Sequence, residues 1–314
     1  MGNLPGRKRG RALSRLATAA IAAALLGTTA GTAVADGTTP PATPTTQKAA
    51  GAGVLTQAAP RTAAAQPTVA APVFPLTTVD RSGTVYMYKS NGKGAFGDRS
   101  NPLITGWQVM AGATRVDHNQ DGYVDGLYSQ SKSGTLYFNK GVDEQTVTIG
   151  GGWDIYDRVF SPGNLGGAGE SDLLARDKSG VLWIYLAHPD GTLSDRYRVG
   201  PGWDIYTDIA GRGDLNGDGK ADMVAKDKSG VLWFYKGTGD YKDPFESRVK
   251  VGPGWDIYDT LLSIGDMDSD GRSDMLARDK SGVLWFYKGN GNQNDPFENR
   301  VRIGGGWDQY VSMF

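Results

Sequence analysis

A tryptophan preceded by glycine returns five times along this chain, at Trp107, Trp153, Trp203, Trp255 and Trp307, with separations of 46, 50, 52 and 52 residues. A second marker keeps the same period: Asp80-Arg-Ser-Gly83, Ser131-Lys-Ser-Gly134, Asp177-Lys-Ser-Gly180, Asp227-Lys-Ser-Gly230 and Asp279-Lys-Ser-Gly282. Self-similarity at a fixed period of this length marks a repeat architecture, in which one unit alone cannot bury its apolar face.

Every signal inside a unit is β. Asp222-Met-Val-Ala-Lys226 and Val231-Leu-Trp-Phe-Tyr235 are short runs rich in β-branched and aromatic residues, and Lys228-Ser-Gly230 joins them as a hairpin. Arg248-Val-Lys-Val251 alternates polar and apolar, and a fourth run lies between Ile205 and Gly213. Four short strands in about 50 residues predict a propeller blade, so the fold class is all-β with five four-stranded blades.

The two markers are out of phase at the ends. Residues 73–314 open on the second half of a unit and close on the first half of one. An open ring would leave strand edges unpaired, whereas one blade completed from both ends closes it. A stacked solenoid is the alternative, but it needs capping repeats, and none is visible.

Ahead of the repeats stand two segments of another kind. Arg7, Lys8, Arg9, Arg11 and Arg15 precede an apolar run from Leu16 to Leu26, and Ala33-Val34-Ala35 follows. That order predicts a secretory signal over 1–35; an uncleaved anchor is the alternative. Residues 36–72 are rich in Ala, Thr and Pro and carry no period, which predicts a flexible linker. The expected location is extracellular, with no membrane span in the mature chain. Without residues 1–35 the chain has 28 basic and 34 acidic residues, a balance of −6 that does not draw nucleic acid. It has no Cys, so export brings no disulfides.

One loop carries chemistry. Asp214, Asn216, Asp218 and Asp222 place side-chain oxygens at positions 1, 3, 5 and 9, with Gly219 at the sharp turn. Calcium takes six to eight hard oxygen ligands, and the backbone carbonyl of Lys220 at position 7 would add another. Asp266, Asp268, Asp270 and Asp274 repeat the pattern with Arg272 at position 7, as do Asp117, Asn119, Asp121 and Asp125 with Tyr123. No Glu stands at position 12 and strand follows, so these are not EF-hands. A bare Asx turn would account for one copy; three copies with the same oxygen spacing favour Ca2+, at three sites. In the remaining loop only Asn164 and Asp172 keep an oxygen, with Gly166 and Ala168 between them, so it is expected to bind no calcium.

Residues 213–222, Gly-Asp-Leu-Asn-Gly-Asp-Gly-Lys-Ala-Asp, followed by Asp-Lys-Ser-Gly-Val-Leu-Trp at 227–233, resemble the FG-GAP/VCBS repeat family, the calcium-loop propeller repeat also found in integrin α-subunits. The resemblance covers about residues 74–314. It implies a propeller with structural calcium, and adhesion, carbohydrate binding or accessory roles rather than one activity. Five Gly-Trp units are also similar to tachylectin-type five-bladed lectins, although those lack this loop.

Trp183, Trp233 and Trp285 alternate with apolar residues inside a strand and are expected in the core. The pairs Trp153-Asp154, Trp203-Asp204, Trp255-Asp256 and Trp307-Asp308 lie at blade junctions, where they serve packing or form a sugar-stacking platform. Neither His118, inside a loop, nor His188 is placed to activate a nucleophile, so no catalytic residue is named; a polysaccharide lyase or hydrolase using Asp or Tyr stays an alternative. The leading reading is a binding module for an extracellular glycan or surface polymer, with a protein partner as the other candidate.

Overall fold

A computed structural model describes residues 71–140 and 146–314. The signal segment and nearly all of the linker lie outside the described residues. Strands β1 (Leu76–Asp80) and β2 (Val85–Tyr88) come first. Blade I follows with β3 (Met110–Val116), β4 (Gly126–Ser131), β5 (Leu136–Asn139) and β6 (Val147–Gly150). Blade II holds β7 (Tyr156–Gly163), β8 (Asp172–Asp177), β9 (Leu182–Tyr185) and β10 (Tyr197–Gly200). Blade III holds β11 (Tyr206–Ala210), β12 (Met223–Asp227), β13 (Leu232–Tyr235) and β14 (Val249–Gly252). Blade IV holds β15 (Tyr258–Gly265), β16 (Asp274–Asp279), β17 (Leu284–Tyr287) and β18 (Val301–Gly304), and β19 (Tyr310–Met313) ends the chain.

Each blade is an antiparallel meander in chain order, apart from the fifth, whose order is β19-β1-β2. Thr78 pairs with Met313 and Val79 with Ser312, and Thr77 and Phe314 exchange backbone hydrogen bonds of 2.7 and 3.0 Å. A bridge between Val85 and Ile104 adds the outer edge of this blade. The strands from the two ends therefore form one blade, as the phase of the repeat requires.

The first strand of each blade is the innermost. Ala113, Val159, Ile209, Leu261 and Ser312, one from each blade, line a common central cavity. Arg212 bolts one end of it. Its guanidinium donates to the carbonyls of Arg115 at 2.8 Å and Ser263 at 3.4 Å, and to the Thr114 hydroxyl at 3.2 Å, while lying 4.6 Å from the Phe74 ring centre. The apolar core is split into five parts, one between each pair of neighbouring blades.

The Asp-x-Ser-Gly hairpins explain themselves locally. Asp227 Oδ1 accepts from the amides of Ser229 and Val231 and from the Ser229 hydroxyl, and the turn ends at Gly230 with φ +77°. A Cβ on Gly230 would stand 2.6 Å from the Asp256 Cβ, so space as well as φ demands glycine there. Trp255 N donates to the Gly230 carbonyl at 2.9 Å, which docks the next Gly-Trp segment on the hairpin.

Candidate functional site

Four loops join first to second strands, and all four share one backbone shape. Position 4 has positive φ at Gln120, Gly217, Ser269 and Gly167, and position 6 at Gly122, Gly219, Gly271 and Gly169. The 164–172 loop keeps this curl with only two ligand oxygens, so the curl itself comes from backbone hydrogen bonding. Position 9 supplies much of it. Asp222 accepts from the amides of Leu215 and Gly237, Asp274 from Met267 and Gly289, and Asp172 from Leu165, Gly166 and Ala187.

Among the described residues two groups of carboxylates converge within 4.8 Å: Asp214, Asp218 and Asp222, and Asp266, Asp268 and Asp274. Burial pushes Asp222 and Asp274 up to about 7 against their backbone donors, and neighbouring carboxylates add to the rise. One Oδ of Asp268 is buried without a hydrogen-bond partner. Oxygen-only donors, crowded negative charge and an orphaned oxygen fit a hard divalent cation. Asp270 belongs to the same loop but turns to Lys288 Nζ at 2.9 Å, and that ammonium also holds Asp268. Lys236 Nζ stands 3.5 Å from Asp218 in the same way.

The 117–125 loop keeps the shape but differs in two side chains, at positions 2 and 3. Asn119 donates its amide to Asp121 at 3.1 Å, and Asp117 accepts from Asp121 and Gly122. His118 sits at position 2, where Leu215, Met267 and Leu165 are buried in the other loops. Its ring packs on Tyr128 and Phe138, both nitrogens lack a partner, and burial holds its pKa below the usual histidine value. The amides of Tyr123, Lys220 and Arg272 each donate to the position-5 carboxylate, and all three residues are exposed.

At the blade junctions the Gly-Trp-Asp tryptophans are packing residues. Trp153, Trp203 and Trp307 are buried and Trp255 half-buried, with ring centres 4.7, 4.8, 4.8 and 4.9 Å from Tyr185, Tyr235, Tyr88 and Tyr287 respectively. Each ring is already packed on a neighbouring tyrosine, which favours the packing role of these tryptophans over a sugar platform. Asp154, Asp204, Asp256 and Asp308 remain the exposed part of the motif.

The accessible repeated feature is one strand further out. Trp183, Trp233 and Trp285, expected in the core, are half-buried and covered by the exposed guanidiniums of Arg196, Arg248 and Arg300 at 4.2, 4.0 and 4.2 Å. Each indole donates to the hairpin carboxylate, Asp177, Asp227 or Asp279, at 2.8–2.9 Å. Burial alone would raise these carboxyls; serine hydroxyls, the indoles and backbone amides outweigh it and hold them near 2. Each Arg also donates to a hydroxyl pair, Tyr156–Tyr185, Tyr206–Tyr235 or Tyr258–Tyr287. Arg99, over Tyr86 at 4.4 Å, with Tyr88–Tyr310, makes a fourth copy. At the fifth junction Met110, Tyr137 and Asn139 replace the parts. Sequence reading missed these arginines because they follow loops of differing length, 11 residues after Tyr185 and 13 after Tyr235.

Five blades, four of them with a curled Asp/Gly loop between first and second strands, define a class of repeat protein. Residues 214–277 match the FG-GAP-like repeat family. No curated protein matches the chain. Among solved structures, the BP39L lectin from Burkholderia pseudomallei is similar at 13% identity and a TM-score of 0.43, over 73% of this chain and 69% of that one. AofleA from Arthrobotrys oligospora is similar at 8% identity and 0.46, over 74% and 71%. BBS1N, solved in complex with ARL6DN, is similar at 10% identity and 0.40; 74% of this chain is covered, and it spans 66% of that structure.

Proposed function

We propose that this is a secreted, calcium-stabilised propeller that binds carbohydrate at its repeated blade junctions. The carrying observation is the fourfold cluster of an exposed Arg stacked on Trp or Tyr and tied to a tyrosine hydroxyl pair. A guanidinium with most of its donors facing solvent, beside an anchored carboxylate and phenols, offers hydroxyl-rich ligands both donors and acceptors. Single sites of this kind are shallow and weak, and four on one ring give avidity for a polymer.

Calcium is assigned to the loops at 117–125, 214–222 and 266–274, with the last two favoured by their converging carboxylates. There it would fix the loop against the neighbouring strands. Affinity on the order of 10⁻⁴–10⁻³ M suits extracellular modules. A glycan array read with calcium and with chelator tests the whole reading: repeated binding to related glycans supports it, and silence on every glycan contradicts it.

A second reading, a protein-interaction scaffold, draws on a different face. The residue after each Gly-Trp-x is an exposed aliphatic at four junctions, Val109, Ile155, Ile205 and Ile257, 39–44% accessible. An apolar ring of that kind suits a protein surface. Loss of a captured partner on Ile205→Asp, with glycan binding intact, would favour it.

A further inference from the structure

The outermost strands of blades II, III and IV carry charge of one sign. Arg196 immediately precedes β10 and Arg198 lies in it, Arg248 and Lys250 stand likewise at β14, and Arg300 and Arg302 at β18. Residues two apart share a strand face. Arg198, Lys250 and Arg302 stand directly across from Trp183, Trp233 and Trp285, so both cations of each pair lie on the tryptophan side. All six are exposed, and none makes an ion pair with a carboxylate among the described residues.

Protection of an exposed strand edge is the plainer use for such charges. It would call for charge on β6 as well, yet Thr146 and Thr148 occupy the matching positions there. It would also be served by either sign. Six cations, three of them held in place by a tryptophan face and a tyrosine hydroxyl, outnumber the single hairpin carboxylate beside each tryptophan and describe a surface prepared for negative charge.

We propose that these three perimeter patches bind an acidic polysaccharide, its carboxylate or sulfate groups held between the paired cations of each outer edge. The proposal rests on the carbohydrate reading above and deepens it. A guanidinium meets a carboxylate or sulfate in a fork of two hydrogen bonds, and stacking on the indole orders the fork in advance. The adjacent tyrosine hydroxyls are at hand for ring hydroxyls of the same sugar. A polymer with an acid on each residue reaches successive patches and gains avidity.

The test uses the full chain and four immobilised probes: polygalacturonate, its methyl ester, a neutral galactan and duplex DNA. Polygalacturonate is expected to bind best, at least tenfold above the ester, and to weaken several-fold when salt rises from 50 to 300 mM. The combined variant Arg198→Glu, Lys250→Glu, Arg302→Glu keeps a charged edge, so its melting temperature should hold while polygalacturonate binding falls at least tenfold. The milder Arg198→Gln, Lys250→Gln, Arg302→Gln should give a smaller loss in the same direction. Equal, salt-insensitive binding of galactan and polygalacturonate would overturn the acidic ligand and leave the carbohydrate reading standing. Silence on all three glycans would overturn both. Duplex DNA bound as tightly as polygalacturonate would overturn the glycan as the ligand of these patches.

Discussion

The ring of Phe314 stacks on the indole of Trp107, with centres 5.3 Å apart and planes 23° from parallel. Trp107 begins blade I and Phe314 follows the strand that completes the fifth blade, so this contact lies on the closing seam. Val79, Val85, Met87 and Met110 fill the space around it.

The closing blade should be a point of high cost. Tyr310 is buried, opens β19 and bonds Tyr88 through its hydroxyl at 2.6 Å. Tyr310→Ala is expected to lose about 3–5 kcal/mol in denaturant unfolding, the range for truncating a large core aromatic. Removing residues 307–314 should cost more still, because the β1 edge loses its partner. A truncated chain that melts with the full one would refute closure from both ends.

The other four junctions carry a polar staple instead. Gln130, Arg176, Lys226 and Arg278 each reach a backbone carbonyl of the next blade's Gly-Trp segment, at 2.7, 2.7, 2.6 and 2.7 Å. Val79 takes the matching place at the seam. Arg278→Met should strand the Trp307 and Tyr310 carbonyls and cost about 1–3 kcal/mol. An unchanged midpoint in urea would show that the staple does not bear on stability.

The blade count, strand order and closing blade were all legible, because a 50-residue period marked twice per unit leaves little freedom. The loop positions were legible too, from Asp and Gly spacing alone. What did not show was which side of a strand faces outward once both faces are packed. Trp183 was expected in the core and Trp203 at a junction open to a sugar, yet Arg196 covers the first at a half-buried site and Tyr235 packs on the second, which is buried. Long-range partners such as Lys288, 14 residues beyond Asp274, also leave no local pattern.

Lys288 holds Asp268 and Asp270, two oxygens that calcium would take. It acts as a tethered competitor in that loop. Lys288→Met should raise calcium affinity about fivefold, on the order of 1 kcal/mol for a partly exposed pair, as read by calorimetry. Weaker binding would show instead that the ammonium supports the site.

Asp172 gives a pH signature. Burial, opposed by three backbone donors, pushes its carboxyl up to about 6, so the folded state favours the proton more than the unfolded state does. Its contribution is therefore greatest below the ordinary carboxyl value and is lost as pH rises from about 4 through 6. In chelator, stability should fall across that window, and Asp172→Asn should flatten its share of the slope. Asp172→Ala should lower stability at every pH, because the amides of Leu165, Gly166 and Ala187 lose their acceptor, while leaving the calcium response intact. A calcium response that vanished with Asp172 would place an ion in the one loop assigned none.

The most direct test of a junction-built binding module is the stoichiometry of a short oligosaccharide chosen from the array. Titration of the full chain should give about four weak, equivalent sites, matching the four Arg–Tyr–Tyr clusters, and Tyr156→Phe with Arg196→Gln should remove one of them. A single site per chain, unaffected by that pair of changes, would contradict the account.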